Sequence, residues 1–315
     1  MLWFAPSGEY IILPDKARSV APLVSIARKQ ATGRDAGTIY FLAVIVRKAT
    51  LFERIFPEIR TGATLVPASA LRPKGVSEQA QHSIDEQEMV RSQDVAAALG
   101  LRAAGYRVEI RRDGARIAQV LPGTPAARAL RATEVIVAVN GHPVGTPADL
   151  RRLIRSGTPG QMLRLRLREA HELKVVTLRT APDPRDKSRA MIGVIVDQAG
   201  QVRLPFPVKI DPGSVVGPSA GLAFALEVME KVGRDVDRGY KIAATGELEL
   251  DGTVAPIGGV KQKSIEAKQA HVDILLLPRG DDTALARRYA EGVRVIPVQS
   301  FQQALRKLAT LPAKG

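Results

Sequence analysis

The spacing of apolar positions changes along the chain, and each change marks a different kind of element. Residues 9–13 and 38–46 are rich in Ile, Val and Tyr and predict strands, the longest early apolar run being Ile39 to Val46. Pro67 to Gly75 is punctuated by proline and glycine and predicts loop. From Ser77 to about Ala104 the pattern is helical, with Ser77 as cap, acids at 85–88 and Gly105 as stop. Over 107–180 the texture shifts to short alternating strands at Val108–Ile110, Ile117–Leu121 and Leu163–Leu167. Ala181-Pro-Asp-Pro184 reads as a linker, and Ile192–Val196 and about Val202–Ile210 as further strands.

Two helices after that are unusual. The first runs from Ser219 to about Val232, and its opening Ser-Ala-Gly-Leu-Ala-Phe-Ala-Leu is apolar almost all round. Such a helix is buried, so Ser219 at its start faces an interior or a cleft. The second begins near Gly259 and runs to about Ala270. At 100° per residue Val260, Lys263, Ala267, Ala270 and His271 share one face, while Lys261 and Lys268 share another. A lysine therefore lies within a stripe of small apolar residues.

Composition narrows the chemistry. The 315 residues suit two domains, and 45% hydrophobic with 25% charged residues is ordinary for a globular chain, excluding disordered and collagen-like classes. No apolar run reaches the roughly 18–20 residues of a spanning helix, and Met1-Leu-Trp-Phe4 lacks the pattern of a signal peptide. Without cysteine there is no disulfide, thiolate nucleophile or cysteine-built zinc site. The four histidines form no close pair, so neither a His-based metal site nor a Ser-His-Asp triad is expected, and no cofactor is called for. The net charge of +14 concentrates in 107–185, which holds 15 basic and 7 acidic residues. That surplus is either a solvated Arg-rich surface or a face for acidic tails or an anionic membrane surface. Aromatics are only 4%, with no basic run interleaved with rings, so no nucleic-acid partner is expected.

The serine and the buried-face lysine together suggest a reaction. Burial favours a neutral amine, which can take the proton of a serine hydroxyl. Unpaired N–H groups at the helix start can hold an oxyanion, and the glycines flanking Pro218-Ser219-Ala220 admit a substrate backbone. Each feature also has a plainer reading: Ser219 as helix cap, Lys263 snorkelling to the surface, or the Gly-rich turn cradling a phosphate.

Gly217-Pro-Ser-Ala-Gly-Leu222, Ala244-Thr-Gly-Glu247, Asp251-Gly-Thr-Val254, Pro256-Ile-Gly-Gly-Val-Lys-Gln-Lys263 and Ile274-Leu-Leu-Leu-Pro278 resemble, in order and spacing, the proteolytic domain of Lon proteases. The resemblance implies Ser219 as catalytic serine and Lys263 as catalytic lysine. Thr245 would lie beside the lysine, with Gly217, Pro218, Ala220 and Gly221 supporting the turn. The family commonly has an acid three residues before the serine; here it is Val216. Likewise Val120-Leu-Pro-Gly-Thr-Pro-Ala-Ala127, Val135 to Gly141 and Ala148 to Ile154 resemble a bacterial PDZ domain. Such domains add an extended C-terminal peptide to a sheet edge. A carboxylate-binding loop near Arg112–Arg116 would put Arg116, Ile117 and Ala118 at that peptide.

PDZ and Lon-type domains in this order are similar to bacterial PDZ–Lon peptidases, typically held by one N-terminal transmembrane helix with the catalytic part outside the cytoplasm. This chain begins where that helix would end. The expected fold is α+β: 1–106 as the N-terminal part of the Lon-like fold, 107–182 as a PDZ domain, strand-rich and inserted in or preceding the catalytic fold, and 183–315 as the proteolytic domain. No Gly-x-x-x-x-Gly-Lys-[Ser/Thr] loop occurs. The expected activity is an ATP-independent serine endopeptidase acting on unfolded or flexible polypeptides, and related domains often form homo-oligomers. The competing readings are a PDZ-based peptide-binding adaptor with an inactive Lon fold and a small-molecule kinase of related fold.

Overall fold

Ile274 to Leu277 is apolar at every position, as a strand covered on both faces requires. In the computed structural model, which describes residues 6–27, 37–71, 78–169, 172–184 and 186–314, it is the fully buried strand Ile274–Pro278. It pairs in parallel with Lys241–Ala244 on one side and Arg294–Val298 on the other, and Lys241–Ala244 pairs in parallel with Thr38–Phe41. Arg18–Ser19 closes the sheet as an antiparallel edge, giving five strands. The expected run Ile39–Val46 is in fact two strands, Thr38–Phe41 and Val44–Thr50, separated at Leu42-Ala43. The second leaves the buried sheet, so Ile45 and Val46 are exposed. It joins an antiparallel sheet with Pro6–Pro14 and Thr64–Pro67.

The all-apolar helix is realised as a short 3-10 turn, Pro218–Ala220, running into Gly221–Lys231, hereafter the serine helix. Residues Gly221 to Met229 are all buried. Phe224 meets Phe41 of the sheet with ring centroids 6.0 Å apart. On its other side lies the long helix Glu78–Ala103. Ser77, the expected cap of that helix, lies outside the described residues, as do Met1–Phe4 and Pro73–Gly75. The two helices approach so closely that a Cβ at Gly100 would sit 2.7 Å from the Ala225 carbonyl oxygen and 2.9 Å from Val228. A backbone carbonyl within a buried helix cannot rotate away. Gly100→Ala is therefore expected to cost about 1–2 kcal/mol net of its better helix propensity, read as a lower melting temperature.

The second unusual helix is Val260–Gln269, the lysine helix. Val260 and Ala267 pack with Leu42, Ala243, Leu275, Leu277 and, from the helix Asp282–Tyr289, Ala286. Helix Phe301–Ala309 completes this part, its Ser300 cap accepting the Gln303 N–H at 3.2 Å. Among the described residues no helix is long and apolar enough to cross a membrane.

The chain divides into two units: residues up to Val108 together with those from Leu204, and Glu109–Arg203 between them. The middle unit is an antiparallel sheet in the order Glu172–Arg179, Met162–Glu169, Val135–Val139, Glu109–Val120, Val194–Arg203, with His142–Pro143 beside Val135–Val139. Its helix Pro147–Arg155 starts with a capping box, Thr146 Oγ1 accepting the Asp149 N–H at 3.2 Å and Asp149 accepting the Thr146 N–H at 3.0 Å. Leu150 and Ile154 of that helix fill the core with Ile117, Ile136, Leu163 and Leu165. The boundary expected at residue 182 is corrected to 203. Ala181–Pro182, expected as linker, pairs with Ala190–Met191, and Val194–Arg203 then pairs along the whole of Glu109–Val120. Alternation hid this, because the sequence shows where a strand is and not which partner it takes.

Candidate active site

Three segments that are distant in sequence meet at the carboxyl end of Lys241–Ala244, the place where open α/β sheets leave a crevice. Thr245 follows that strand directly, its N–H donating to Leu276 O at 3.0 Å. Gly246 N–H donates to Ser219 O at 2.8 Å, fixing the serine turn to the strand end. The long helix clamps the turn from the other side. Ser92 Oγ donates to Pro218 O at 3.0 Å, and Gly217 N–H donates to Asp85 O at 3.1 Å. Gly217 itself adopts φ 89°, a left-handed conformation open to glycine, and this sharp entry turns Ser219 toward the cleft.

The lysine helix brings Lys263 across the sheet end. Its amine donates to Ser219 Oγ at 2.9 Å and to Thr245 Oγ1 at 3.1 Å. Thr245 Oγ1 in turn donates to Ser219 O at 3.3 Å. Lys263 is only 3% exposed. Burial pulls its amine down from the ordinary lysine range to about 8, with the charge of Glu266 one turn further on opposing the shift. Since the Thr245 proton goes to Ser219 O, the lone pairs of Thr245 Oγ1 accept from the amine. A neutral amine so held keeps its lone pair for the serine hydroxyl.

Ser219, Gly217, Ala220 and Lys263 line a cleft of about 630 Å³. Val44, Val46, Leu71 and Val216 supply apolar wall, and Glu78 and Asp85 supply acid from the long helix. Val216, where the family commonly carries an acid, is 44% exposed at the mouth. Gly221 does not line the cleft; it packs against Ser92 and Leu248 instead. In the first turn the Ser219 N–H has no intrahelical partner, whereas the Gly221 and Leu222 N–H groups donate to Pro218 O and Gly246 O. The Ser219 N–H, beside the hydroxyl, is thus available to an anion. Serine, threonine and a buried amine offer a hard cation no carboxylate. The acidic group Glu230, Asp235 and Asp237 lies at the other end of the serine helix, where Glu230 accepts the Val236 and Asp237 N–H groups at 2.6 and 2.8 Å.

The expected peptide contacts of the middle unit are corrected. Arg116, Ile117 and Ala118 belong to Glu109–Val120, a strand paired on both sides. Arg116 is 7% exposed and its guanidinium clasps Asp197, donating from Nε to Oδ1 at 2.9 Å. Ile117 is core, and its N–H and carbonyl are bonded to Glu134 and Thr133. Only Ala118 of the three is exposed. The open edge on that side of the sheet is Val194–Arg203, which follows Gly193 and packs near the helix Pro147–Arg155. A short apolar-Gly-apolar signal, Ile192-Gly193-Val194, marks its start in the sequence.

Comparison with known proteins agrees with both assignments. Residues 205–310 match the Lon protease (S16) C-terminal proteolytic domain, and 116–169 match the PDZ domain. Lon protease 2 of Bacillus subtilis is 32% identical over 111 residues, 35% of this chain and 19% of that protein. Lon protease of Lachnoclostridium phytofermentans is 37% identical over 94 residues, 29% of this chain and 11% of that protein. The chain therefore spans about a fifth or less of these relatives. Among solved structures, the PDZ domain of the SdrC-like protein from Listeria monocytogenes covers 27% of this chain and 87% of that one, at 19% identity and TM-score 0.25. Residues 205–310 are thus similar to the C-terminal proteolytic domain of Lon protease (S16), and residues 116–169 to a PDZ domain.

Proposed function

We propose that the protein is an ATP-independent serine endopeptidase in which Ser219 is the nucleophile and Lys263 the general base. The observation that carries this is the 2.9 Å approach of a buried lysine amine to a serine hydroxyl at the wall of an open cleft. The neutral amine takes the Ser219 proton as Oγ attacks the scissile carbonyl carbon. The Ser219 N–H at the start of the helix receives the negative charge that develops on the carbonyl oxygen. Lys263, now protonated, gives its proton to the leaving amine as the C–N bond breaks, leaving an ester on Ser219. It then takes a proton from water as that water attacks the ester carbonyl, and returns it to Ser219 Oγ as the acyl C–O bond breaks, which restores the serine and the neutral amine. Thr245 holds the amine beside Oγ, so that its lone pair when neutral, or its proton when charged, faces the reacting atoms. Neither step uses a nucleotide.

Val44, Val46, Leu71 and Val216 fit an apolar side chain of an extended, unfolded segment. The test is hydrolysis of an unfolded fluorogenic polypeptide without nucleotide, with turnover expected from the parent and none from Ser219→Ala. A kinase reading would need phosphate and Mg²⁺ ligands, which the Ser219–Lys263–Thr245 constellation does not offer.

The middle unit is the peptide reader in this proposal. An extended tail would add to the open edge of Val194–Arg203, beside Pro147–Arg155, with its carboxylate at the turn around Gly193. Free-carboxylate peptides are expected to bind the full chain, measured by fluorescence anisotropy, at least roughly tenfold more tightly than the same peptides amidated, since backbone N–H groups hold the anion. Equal binding of both forms would remove the carboxylate from the recognition.

A further inference from the structure

Glu266 is a buried acid that the reaction above does not use. It lies three residues beyond Lys263 on the lysine helix, so the two side chains neighbour each other on one face. It is 1% exposed. Its Oε1 accepts the Asp15 N–H at 3.0 Å, and the Ala43 N–H is a second backbone donor to the carboxyl. Its Oε2 is buried with no hydrogen-bond partner among the described residues. Asp15 and Ala43 both line the catalytic cleft, Asp15 after the strand Pro6–Pro14 and Ala43 at the break between Thr38–Phe41 and Val44–Thr50. A buried carboxylate with an unmet oxygen is costly unless a charge close by offsets it. The charge within reach here is the amine of the dyad.

We propose that Glu266 is the positioning residue of the dyad: it ties the cleft wall at Asp15 and Ala43 to the lysine helix and sets the charge state of Lys263. This rests on the reading of Ser219 and Lys263 given above. Lys263 and Glu266 act on each other through space, each favouring the charged form of the other. Asp15 acts on Glu266 in the opposite sense, disfavouring its charge, and is itself paired with Arg18 at 2.8 Å. The helix Asp282–Tyr289 meets the lysine helix through Ala286 and Ala290 at its end, without a charge in that core. Burial lifts the Glu266 carboxyl to about 7 while the amine sits at about 8, so both change charge over neighbouring pH values. The pair titrates as a unit. Above neutrality an ionised Glu266 holds the proton on Lys263, delaying release of the free base.

Glu266→Gln keeps an acceptor for the Asp15 N–H and removes the charge. The acid limb of kcat/KM against pH is expected to move down by roughly one pH unit in this variant and in Glu266→Ala. Activity at pH 9 should stay within about threefold of the parent in Glu266→Gln, because the amine is then free in both proteins. A residue that only braces the fold would lower activity at every pH and leave the limb in place, and that result overturns the proposal. The parent itself provides a second reading, whatever the variants' stability. In protein labelled at lysine Cε, the Lys263 NMR resonance should titrate in two steps, one of them belonging to Glu266. A single step would overturn the coupling. Two steps in a chain that proved to have no peptidase activity would instead leave the pair intact and count against the dyad's assigned role.

Discussion

Ser219→Ala is expected to fold as the parent does and to hydrolyse an unfolded polypeptide at least about 10⁴-fold more slowly, the scale on which a catalytic serine is lost. Removal of one atom should be benign to the structure. Ser219 Oγ meets Lys263, while the turn is held through backbone groups that alanine keeps: Ser219 O with Gly246 and Thr245, Pro218 O with Ser92, and Gly217 N–H with Asp85. The helix start is not capped by this side chain either. Melting temperature should thus change little, by the equivalent of about 1 kcal/mol or less. Chemistry has no such reserve. Lys263 in the variant still points at the cleft with Thr245 beside it, yet water lacks the fixed position that Oγ holds. With a slow ester substrate, intact-mass measurement should find an acyl group on the parent and none on Ser219→Ala. Retention of more than about one hundredth of the parent rate would rule out Ser219 as nucleophile.

The parts of this site that were readable in the sequence are those carried by unusual local pattern. A helix apolar on every side announced burial, and a lysine inside a small-residue stripe announced an anomaly; the two elements do meet, with Lys263 2.9 Å from Ser219 Oγ. What could not be read is what depends on partners. The long helix Glu78–Ala103 clamps the serine turn through Ser92 and the Asp85 carbonyl, and nothing in a polar helix surface tells which residue will be covered. Nothing in the local pattern singles out Glu266; it is buried because the chain around Asp15 and Ala43 closes over it. In the middle unit alternation marks two short strands, Val108–Ile110 and Ile117–Leu121, where the structure has the single strand Glu109–Val120 with both edges occupied, so the peptide contacts expected at Arg116–Ala118 fall on a central strand. Strand order is a long-range property, and alternation along one strand carries no record of it.

Lys263 should reveal itself in the pH dependence. The base is the neutral amine, and burial lowers the pH at which it forms to about 8. kcat/KM is therefore expected to rise tenfold per pH unit below that value and to level off above it, since this parameter reports the free enzyme. Lys263→Met, similar in length and unable to accept the proton, and Lys263→Arg, which stays protonated, should both lose at least about 10³-fold at every pH. A Lys263→Arg enzyme that kept an acid limb near 8 would assign the titration to another group. Stability supplies an independent sign. A lysine whose amine is lowered on folding binds fewer protons in the native state than in the unfolded chain between about 8 and its ordinary value near 10.5. Stability should accordingly increase with pH across that window, and the cost of the buried charge is present in full below it. Lys263→Met removes that cost, so at pH 7 the inactive variant should melt above the parent, and its advantage should shrink as the pH is raised past 8. A dyad lysine is retained at the expense of stability, whereas a lysine kept for packing would show the reverse: a variant that melts lower at pH 7 and an activity without a limb near 8.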